Sequence, residues 1–284
     1  MIRAFAAPRV VASAVCLAPT PSLEWRGMQG GWIRMNIRAV IASWLVVALA
    51  GFAPVAASPT ITAYIAKAVA DTSRPADDRK LDLDRKPAQV LAFAGVRHGE
   101  TIGEYLPGGG YYTRLLSDIV GPRGKVYALE TTTWGQENID ATRKALAEPG
   151  RGNVSLDLAP LGGFHLPAKV DLFWITNNYH DLHVPKYANV DMAAFNKQVF
   201  ESLKPGGLYF IVDHAAAAGT GATLTPKLHR IDKATVIAEV TAAGFKLAGE
   251  SEILRNPADD HTRTIFDPAI HFKTDQFILK FRRP

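Results

Sequence analysis

The sequence predicts an α/β fold built on a mostly parallel β-sheet, and three observations lead to that prediction. Beyond residue 87, short apolar segments typical of buried strands alternate with segments of helical periodicity. The glycine-rich stretch "EYLPGGGYYT" at 104–113 joins the first such strand to a helix, and "LKPGG" at 203–207 leads into a later strand. Alternation of this kind implies right-handed crossovers and places ligands at the carboxyl ends of the strands.

The individual elements can be assigned in chain order. Residues 60–71 predict a short helix, the charged residues 72–85 a connector, and Pro87 the start of a helix that extends to about residue 96. Strands are expected at 100–106, 125–130, 154–159, 170–176, 208–213, 245–254 and 276–282, and further helices at 111–119, 138–146, 193–203 and 233–243. We expect one domain at 87–284, preceded by a helical appendage at 58–86.

The first 57 residues predict a leader. Met35, which we expect to be the true start, opens a secretory signal: Arg38 supplies the positive charge, 39–50 the apolar stretch, and a small-residue cleavage site ends at Ala57. An uncleaved anchor is the alternative. Both interpretations place the body outside the cytoplasm, in the periplasm or secreted, with the membrane contacted only transiently if the leader is removed.

Charge and cysteine content exclude several classes of function. The net charge of +5 arises mostly in the leader, which holds five arginines and one acid, so the remainder carries 27 basic and 26 acidic residues. Nucleic-acid binding, which needs a clustered positive field, is therefore not expected. The only cysteine, Cys16, lies in the leader, so the mature part has no disulfide and no thiolate ligand or nucleophile.

Three kinds of ligand use a glycine-rich turn like the one at 104–113. A P-loop needs Lys-Ser/Thr after its last glycine, and here two tyrosines follow. A dinucleotide turn needs a third glycine, and Thr113 occupies that position. S-adenosylmethionine has no pyrophosphate, and its positive charges and ribose favour nearby carboxylates. Glu104 before the turn, and Glu130 at the end of the second strand, supply them.

Four segments resemble the class I S-adenosylmethionine-dependent methyltransferases: "GEYLPGGG", "VYALE", "VDLFWITNNYHDL" and "LKPGGLYFIVD". The sequence is most similar to a bacterial group of predicted methyltransferases with an exported leader, an E-x-x-P-G-x-G-x-Y-T turn and N-Y-H-D after the fourth strand. The resemblance implies a Rossmann-like methyltransferase fold, with helices on both faces of a seven-stranded, mostly parallel sheet whose last strand is antiparallel. S-adenosyl-L-methionine is the implied cofactor, and the residues expected to bind it are Glu104, Gly108, Gly109, Gly110, Glu130 and Asn177. Two positions depart from the family pattern: Leu106 replaces the first glycine, and Pro160 stands where an acid would contact adenine.

The candidates for chemistry follow strands 4 and 5. Methyl transfer requires a positioned nucleophile and removal of its proton. In "NNYHDLH", His180 is our choice for the base, Asp181 for its orienting partner, and Tyr179 for the methyl-transfer face. Further histidines at 214 and 229 could join them in a metal site, but no short H-x-x-H or H-E-x-x-H spacing supports one, and we expect none.

The function predicted from these residues is methyl transfer to a small molecule or an exported acceptor. Because the methyl donor is made in the cytoplasm and the leader directs the chain outward, an alternative is an inactive periplasmic binding module on the same scaffold. An NAD-dependent oxidoreductase is a third and weaker interpretation, since Thr113 replaces the third glycine.

Overall fold

The structure, a computed structural model, describes residues 62–284, which form one compact unit. Its helices are α1 (Ala63–Ala70), α2 (Ala76–Arg85), α3 (Pro87–Ala94), α4 (Tyr111–Val120), α5 (Gln136–Leu146), α6 (Met192–Ser202), α7 (Thr225–Leu228) and α8 (Lys233–Ala242). Its strands are β1 (Thr101–Tyr105), β2 (Lys125–Thr131), β3 (Val154–Ala159), β4 (Val170–Thr176), β5 (Leu203–His214), β6 (Lys246–Ser251) and β7 (Gln276–Arg282). A 3-10 turn spans His180–His183.

The seven strands form a single sheet in the order β3-β2-β1-β4-β5-β7-β6. β1 pairs in parallel with β2 and β4, and β7 pairs antiparallel with both β5 and β6. The other pairings, β2 with β3 and β4 with β5, are parallel. The predicted fold class is thus confirmed, including the antiparallel last strand.

The sheet is buried on both faces. Because neighbouring residues of a strand point to opposite sides, Phe173 belongs to a core with residues of α6 and α8, while Trp174 belongs to a core with residues of α1, α3 and α4. Both side chains are fully buried. Burial of this kind explains why residues 172–175 of β4 form a continuous apolar run.

The prediction of a connector at 72–85 is wrong, because Ala76–Arg85 forms the helix α2. α2 buries none of its residues fully and has no apolar face, so its sequence lacks the periodicity that indicates a helix. Its acids are instead paired: Asp82 with Arg74 and Tyr111, and Asp78 with Arg114. The Asp78–Arg114 ion pair and the Tyr111–Asp82 hydrogen bond attach this helix to α4, and Leu81 packs against the core around Trp174.

Two predictions about the N-terminal region have different outcomes. α1 buries Ile65 and Ala68 in the same core as Trp174, so within residues 62–284 the appendage is continuous with the sheet domain. The predicted leader and its start at Met35 lie outside the described residues and stay predictions. Among residues 62–284, no helix combines the length and the apolarity needed to cross a lipid bilayer.

Candidate active site

A cavity of about 720 Å³ lies where β4 and β5 end, and we call it the cleft. Ligand sites typically have volumes of several hundred Å³. The residues that line it come from α2, from the segments after β2, β4 and β5, and from the long loop before β7. They are Asp84, Arg85, Thr133, Trp134, Asn138, Asn177, Asn178, His180, Asp181, Tyr187, His214, His229, Ile265, Phe266, His271, Phe272 and Gln276.

The glycine turn after β1 has three residues in the left-handed region. Leu106 has φ +56°, Gly108 +54° and Gly110 +79°. A side chain at Gly110 would bring its Cβ within 2.6 Å of the Ala145 Cβ on α5, so this glycine is required by helix packing. Gly108 and Gly109 face open space, where a ligand can approach the backbone.

Glu104 is buried beneath this turn, at the end of β1. Burial raises the pKa of its carboxyl group to about 7. Its Oε2 atom has no hydrogen-bond partner among the described residues. A buried carboxyl oxygen without a partner fits a site for a positively charged ligand.

Glu130 is engaged by its own neighbours. Its carboxylate accepts hydrogen bonds from the Thr131 N–H (2.7 Å) and the Thr142 hydroxyl (2.9 Å), and that hydroxyl also lies 2.8 Å from the Gly108 carbonyl oxygen. Burial raises the pKa of Glu130. The network connects the end of β2 to the glycine turn, and only 3% of Glu130 is exposed.

Asn177 lies directly after β4 and lines the cleft. Its φ of +62° is unusual for a residue other than glycine. The Asn177 N–H donates to the Val212 carbonyl oxygen (2.8 Å), and its side-chain oxygen accepts from Gln276 (2.9 Å). These bonds from β5 and β7 hold a strained residue in place, a pattern common at functional sites.

His180 has a different partner from the one predicted. Its Nδ1 atom lies 2.7 Å from Asp213 Oδ1, and its backbone N–H donates to the other oxygen of the same carboxylate. Burial alone would lower its pKa, but Asp213 and Asp181 together raise the pKa of His180 to about 10. These carboxylates favour the protonated form of His180, and only 1% of the residue is exposed, which suits a positioning role better than direct proton removal; its role as the base stays a prediction.

Asp181 and His229 complete a cluster with His180. Asp181 Oδ1 lies 3.1 Å from His229 Nδ1 and 3.3 Å from His180 Nε2, and the two imidazole nitrogens are 3.3 Å apart. Although burial opposes ionisation, hydrogen bonds from both histidines lower the pKa of Asp181 to about 2. The predicted contact between the neighbours His180 and Asp181 is therefore present, but it belongs to a three-residue cluster.

Tyr179 does not line the cleft, which corrects the predicted role. Its ring is fully buried in the core beside α6 and α8. Its hydroxyl donates to Glu239 (2.7 Å) and accepts from Asn196 (2.8 Å). Because the 3-10 turn begins at His180, Tyr179 and His180 point in different directions, and Tyr179 has a structural role.

Several cleft residues were missed by sequence reasoning. Trp134 and Arg85 come from segments predicted as loop and connector, and Phe266 and Phe272 come from the polar loop before β7. Phe266 is 57% exposed and Phe272 is 51% exposed, which is unusual for large apolar side chains. The sequence feature that could have identified Phe266 and Phe272 was the presence of two aromatic residues in an otherwise polar loop.

The fold is similar to that of solved S-adenosylmethionine-dependent methyltransferases. One from Aquifex aeolicus is 20% identical with a TM-score of 0.51, and the match covers 74% of this chain and 100% of that one. One from Mesorhizobium loti is 18% identical with a TM-score of 0.51, covering 72% and 100%. A [4+2]-cyclase, SpnF, is 16% identical with a TM-score of 0.51, covering 76% and 85%. No protein-family model and no curated protein matches the sequence. These similarities establish the fold, which a cyclase also shares, and leave the activity to be argued from the site.

Proposed function

We propose that this chain binds S-adenosylmethionine and transfers its methyl group to a small molecule or an exported acceptor. The observation that carries the proposal is the position of the cleft. It opens where β4 and β5 end, and β1, the strand that pairs with β4, leads into the glycine turn that the buried acids Glu104 and Glu130 flank. Open α/β sheets bind their ligands at such a position.

Arg85 and Trp134 line the cleft, whereas Glu104, Gly108 and Glu130 belong to the glycine turn and its surroundings and do not contribute to the lining. Together these residues offer a partner for each part of the cofactor. The partnerless oxygen of Glu104 suits a positive charge, and the open space at Gly108 admits close backbone approach. Arg85 is a cation for the amino-acid carboxylate, and Glu130 an acceptor for the ribose hydroxyls. Trp134 supplies an aromatic face, and its buried Nε1 donor has no hydrogen-bond partner within residues 62–284. When bound, the cofactor would supply an activated methyl group.

The acceptor would lie at the other end of the cleft. His229 and Asp181 line the cleft, and so do the exposed rings of Phe266 and Phe272. The Phe266 ring packs against His229, with ring centroids 4.9 Å apart. We therefore infer an acceptor with an apolar part, which would cover these rings, and a nucleophilic atom beside the histidines. In this arrangement Asp213 holds His180, and His180 positions the other two members of the cluster.

A second candidate is a binding module without catalysis. The observation that favours it is the internal engagement of Glu130, whose carboxylate accepts from Thr131 and Thr142. The oxidoreductase interpretation loses support, because β7 is antiparallel and lies between β5 and β6. A dinucleotide-binding sheet has the order 3-2-1-4-5-6.

Calorimetric titration of the full chain with S-adenosylmethionine, and separately with NAD, tests the proposal. Saturable binding of the first alone is expected. Glu130→Ala should weaken that binding by about 1–3 kcal/mol if the acid holds the ribose. Thr142→Val breaks the same internal bond but keeps the carboxylate, so it should bind as the wild type does.

Two results would contradict the proposal. Binding of NAD alone would overturn it, and absence of binding to either compound would favour the module. If Thr142→Val loses as much affinity as Glu130→Ala, the acid has only a structural role. Glu137→Ala, at an exposed acid in the first turn of α5, is the matched control and should change nothing.

We also propose export of the chain, on the basis of residues 35–57 alone. Fractionation of cells that produce the full chain should recover it outside the cytoplasm in a shorter form, and deletion of 39–50 should retain it inside. Recovery of the full-length chain in the cytoplasm would contradict this.

A further inference from the structure

Three donor atoms, two from the neighbours His180 and Asp181 and one from the distant His229, converge in the lining of the cleft. They are Nε2 of His180, Oδ1 of Asp181 and Nδ1 of His229, with mutual distances of 3.1 to 3.3 Å. We propose that these three residues form a binding site for one divalent transition-metal ion.

The geometry of the triangle matches the size of such an ion. The three sides are nearly equal, and the centre of a triangle with these sides lies about 1.9 Å from each corner. An ion slightly above the plane would therefore lie at the ~2.0–2.2 Å that zinc adopts with nitrogen and oxygen ligands. Two imidazoles and one carboxylate are a donor set that suits zinc and iron among the divalent ions.

Asp213 provides the support that metal-binding histidines require. It lies 2.7 Å from His180 Nδ1, so this nitrogen donates to the carboxylate and the opposite nitrogen, Nε2, faces the centre of the triangle. A second hydrogen bond, from the His180 N–H to the same carboxylate, fixes the start of the 3-10 turn. Carboxylates that orient a ligating histidine in this way are a regular feature of metal sites.

The charges around the triangle also favour a cation. Asp181 and Asp213 are both buried, and among residues 62–284 their ion-pair partners are histidines alone: His180 for both, and His229 for Asp181. Buried carboxylates are normally paired or bound to a metal. A divalent ion would balance both, and it would replace the proton on Nε2 of His180, since metal ions displace protons from their ligands.

The site is open on one side. Asp181 and His229 line the cleft together with Asn178 and Tyr187. An ion with three protein ligands keeps at least one free coordination position, as catalytic sites do. That position would take an oxygen atom of a molecule in the cleft. If the proposed methyl transfer is correct, this molecule is the acceptor, and the ion would lower the pKa of its hydroxyl group.

The test is a titration of the full chain, freed of metal by a chelator and carrying no histidine tag, with zinc chloride in a calorimeter. One ion per chain is expected. His229→Gly removes one ligand at a residue with φ +55°, which glycine adopts without strain. Asp181→Ala removes another. Each should weaken zinc binding by about 100-fold or more, a larger loss than changes to the residues that only orient the ligands cause.

The matched control is His165→Ala. His165 forms a pair with Asp157 at the surface (3.5 Å), so it reports on adventitious zinc binding and should leave the affinity of the site unchanged. Circular dichroism shows whether each variant is folded. Because His229→Gly and Asp181→Ala remove different ligands, either folded variant tests the site. Wild-type protein that binds no zinc, or folded ligand variants that both bind it as the wild type does, would overturn the proposal. The titration contains no S-adenosylmethionine, so its outcome is independent of cofactor binding.

Discussion

The Nδ1 atom of His180 lies 2.7 Å from Oδ1 of Asp213, which ties the residue that opens the 3-10 turn to the end of β5. The same carboxylate accepts the backbone N–H groups of His180 and His214. One buried acid therefore satisfies three donors and joins two strand ends at the cleft.

Asp213→Asn should destabilise the protein by about 1.5–3 kcal/mol, because the charge-assisted bond to His180 is lost and the amide nitrogen cannot accept. Urea unfolding at neutral pH measures the change. Asp157→Asn alters a second Asp–His pair, which lies at the surface with His165, and should have a much smaller effect. Equal losses in the two variants would contradict the role assigned to Asp213.

Asp82→Ala should destabilise the protein by about 3–5 kcal/mol. The Arg74 side chain that it pairs with has no exposed surface, and two N–O distances of 2.8 Å define the pair. Removal of one partner leaves a buried charge without compensation. Thermal unfolding measures the loss. Asp77→Ala, one turn away at a fully exposed acid, should behave as the wild type. A small effect at Asp82 would mean that α2 is only loosely attached.

Glu104→Gln should flatten the dependence of stability on pH. In the folded protein the pKa of Glu104 is raised from 4.5 to about 7, so between these values only the folded state holds the proton. The contribution of this group to stability is therefore fully present below pH 4.5 and falls as pH rises towards 7, by about 3 kcal/mol in total. Urea unfolding should show that the free energy of unfolding decreases less from pH 5 to pH 8 in Glu104→Gln than in the wild type. An unchanged decrease would contradict burial of an ionisable group there.

Gly110→Ala should destabilise the protein by about 1–3 kcal/mol, because φ is +79° and the new Cβ would lie 2.6 Å from that of Ala145. Gly109→Ala is the matched control. Gly109 does not have a positive φ, and a Cβ added there would meet no described atom within 4 Å. Urea unfolding of both variants is the measurement. Similar stability of the two would contradict the packing role of Gly110.

Tyr179→Phe should lower stability by about 1–2 kcal/mol through loss of the bonds to Glu239 and Asn196. Affinity for S-adenosylmethionine should stay unchanged, because the ring lies in the core. Unfolding and binding are measured on the same preparation. Normal stability combined with weaker cofactor binding would restore the role on the methyl-transfer face that the sequence predicted for this residue.

The sequence by itself determined the fold of residues 87–284. Residues 172–175 of β4 are a continuous apolar run, and glycines mark the turn before α4 and the irregular first part of β5, so local chemistry and burial agree on these elements. The same local information located Glu104, Glu130 and Asn177 at strand ends. It missed α2, because ion pairs with residues such as Arg74 and Arg114 attach that helix and leave no apolar periodicity.

Only the tertiary structure decided which side chains meet in the cleft. His180 and His229 are 49 residues apart, and no short spacing brings them together. The parallel sheet does so, because it places the ends of β4 and β5 side by side and returns the chain after α7 to the same edge. The sequence also did not predict where neighbouring side chains point. Tyr179 and His180 are adjacent, yet in the structure Tyr179 lies in the core and His180 faces Asp213. Contacts between distant residues depend on where strands end in space, which a linear pattern does not encode.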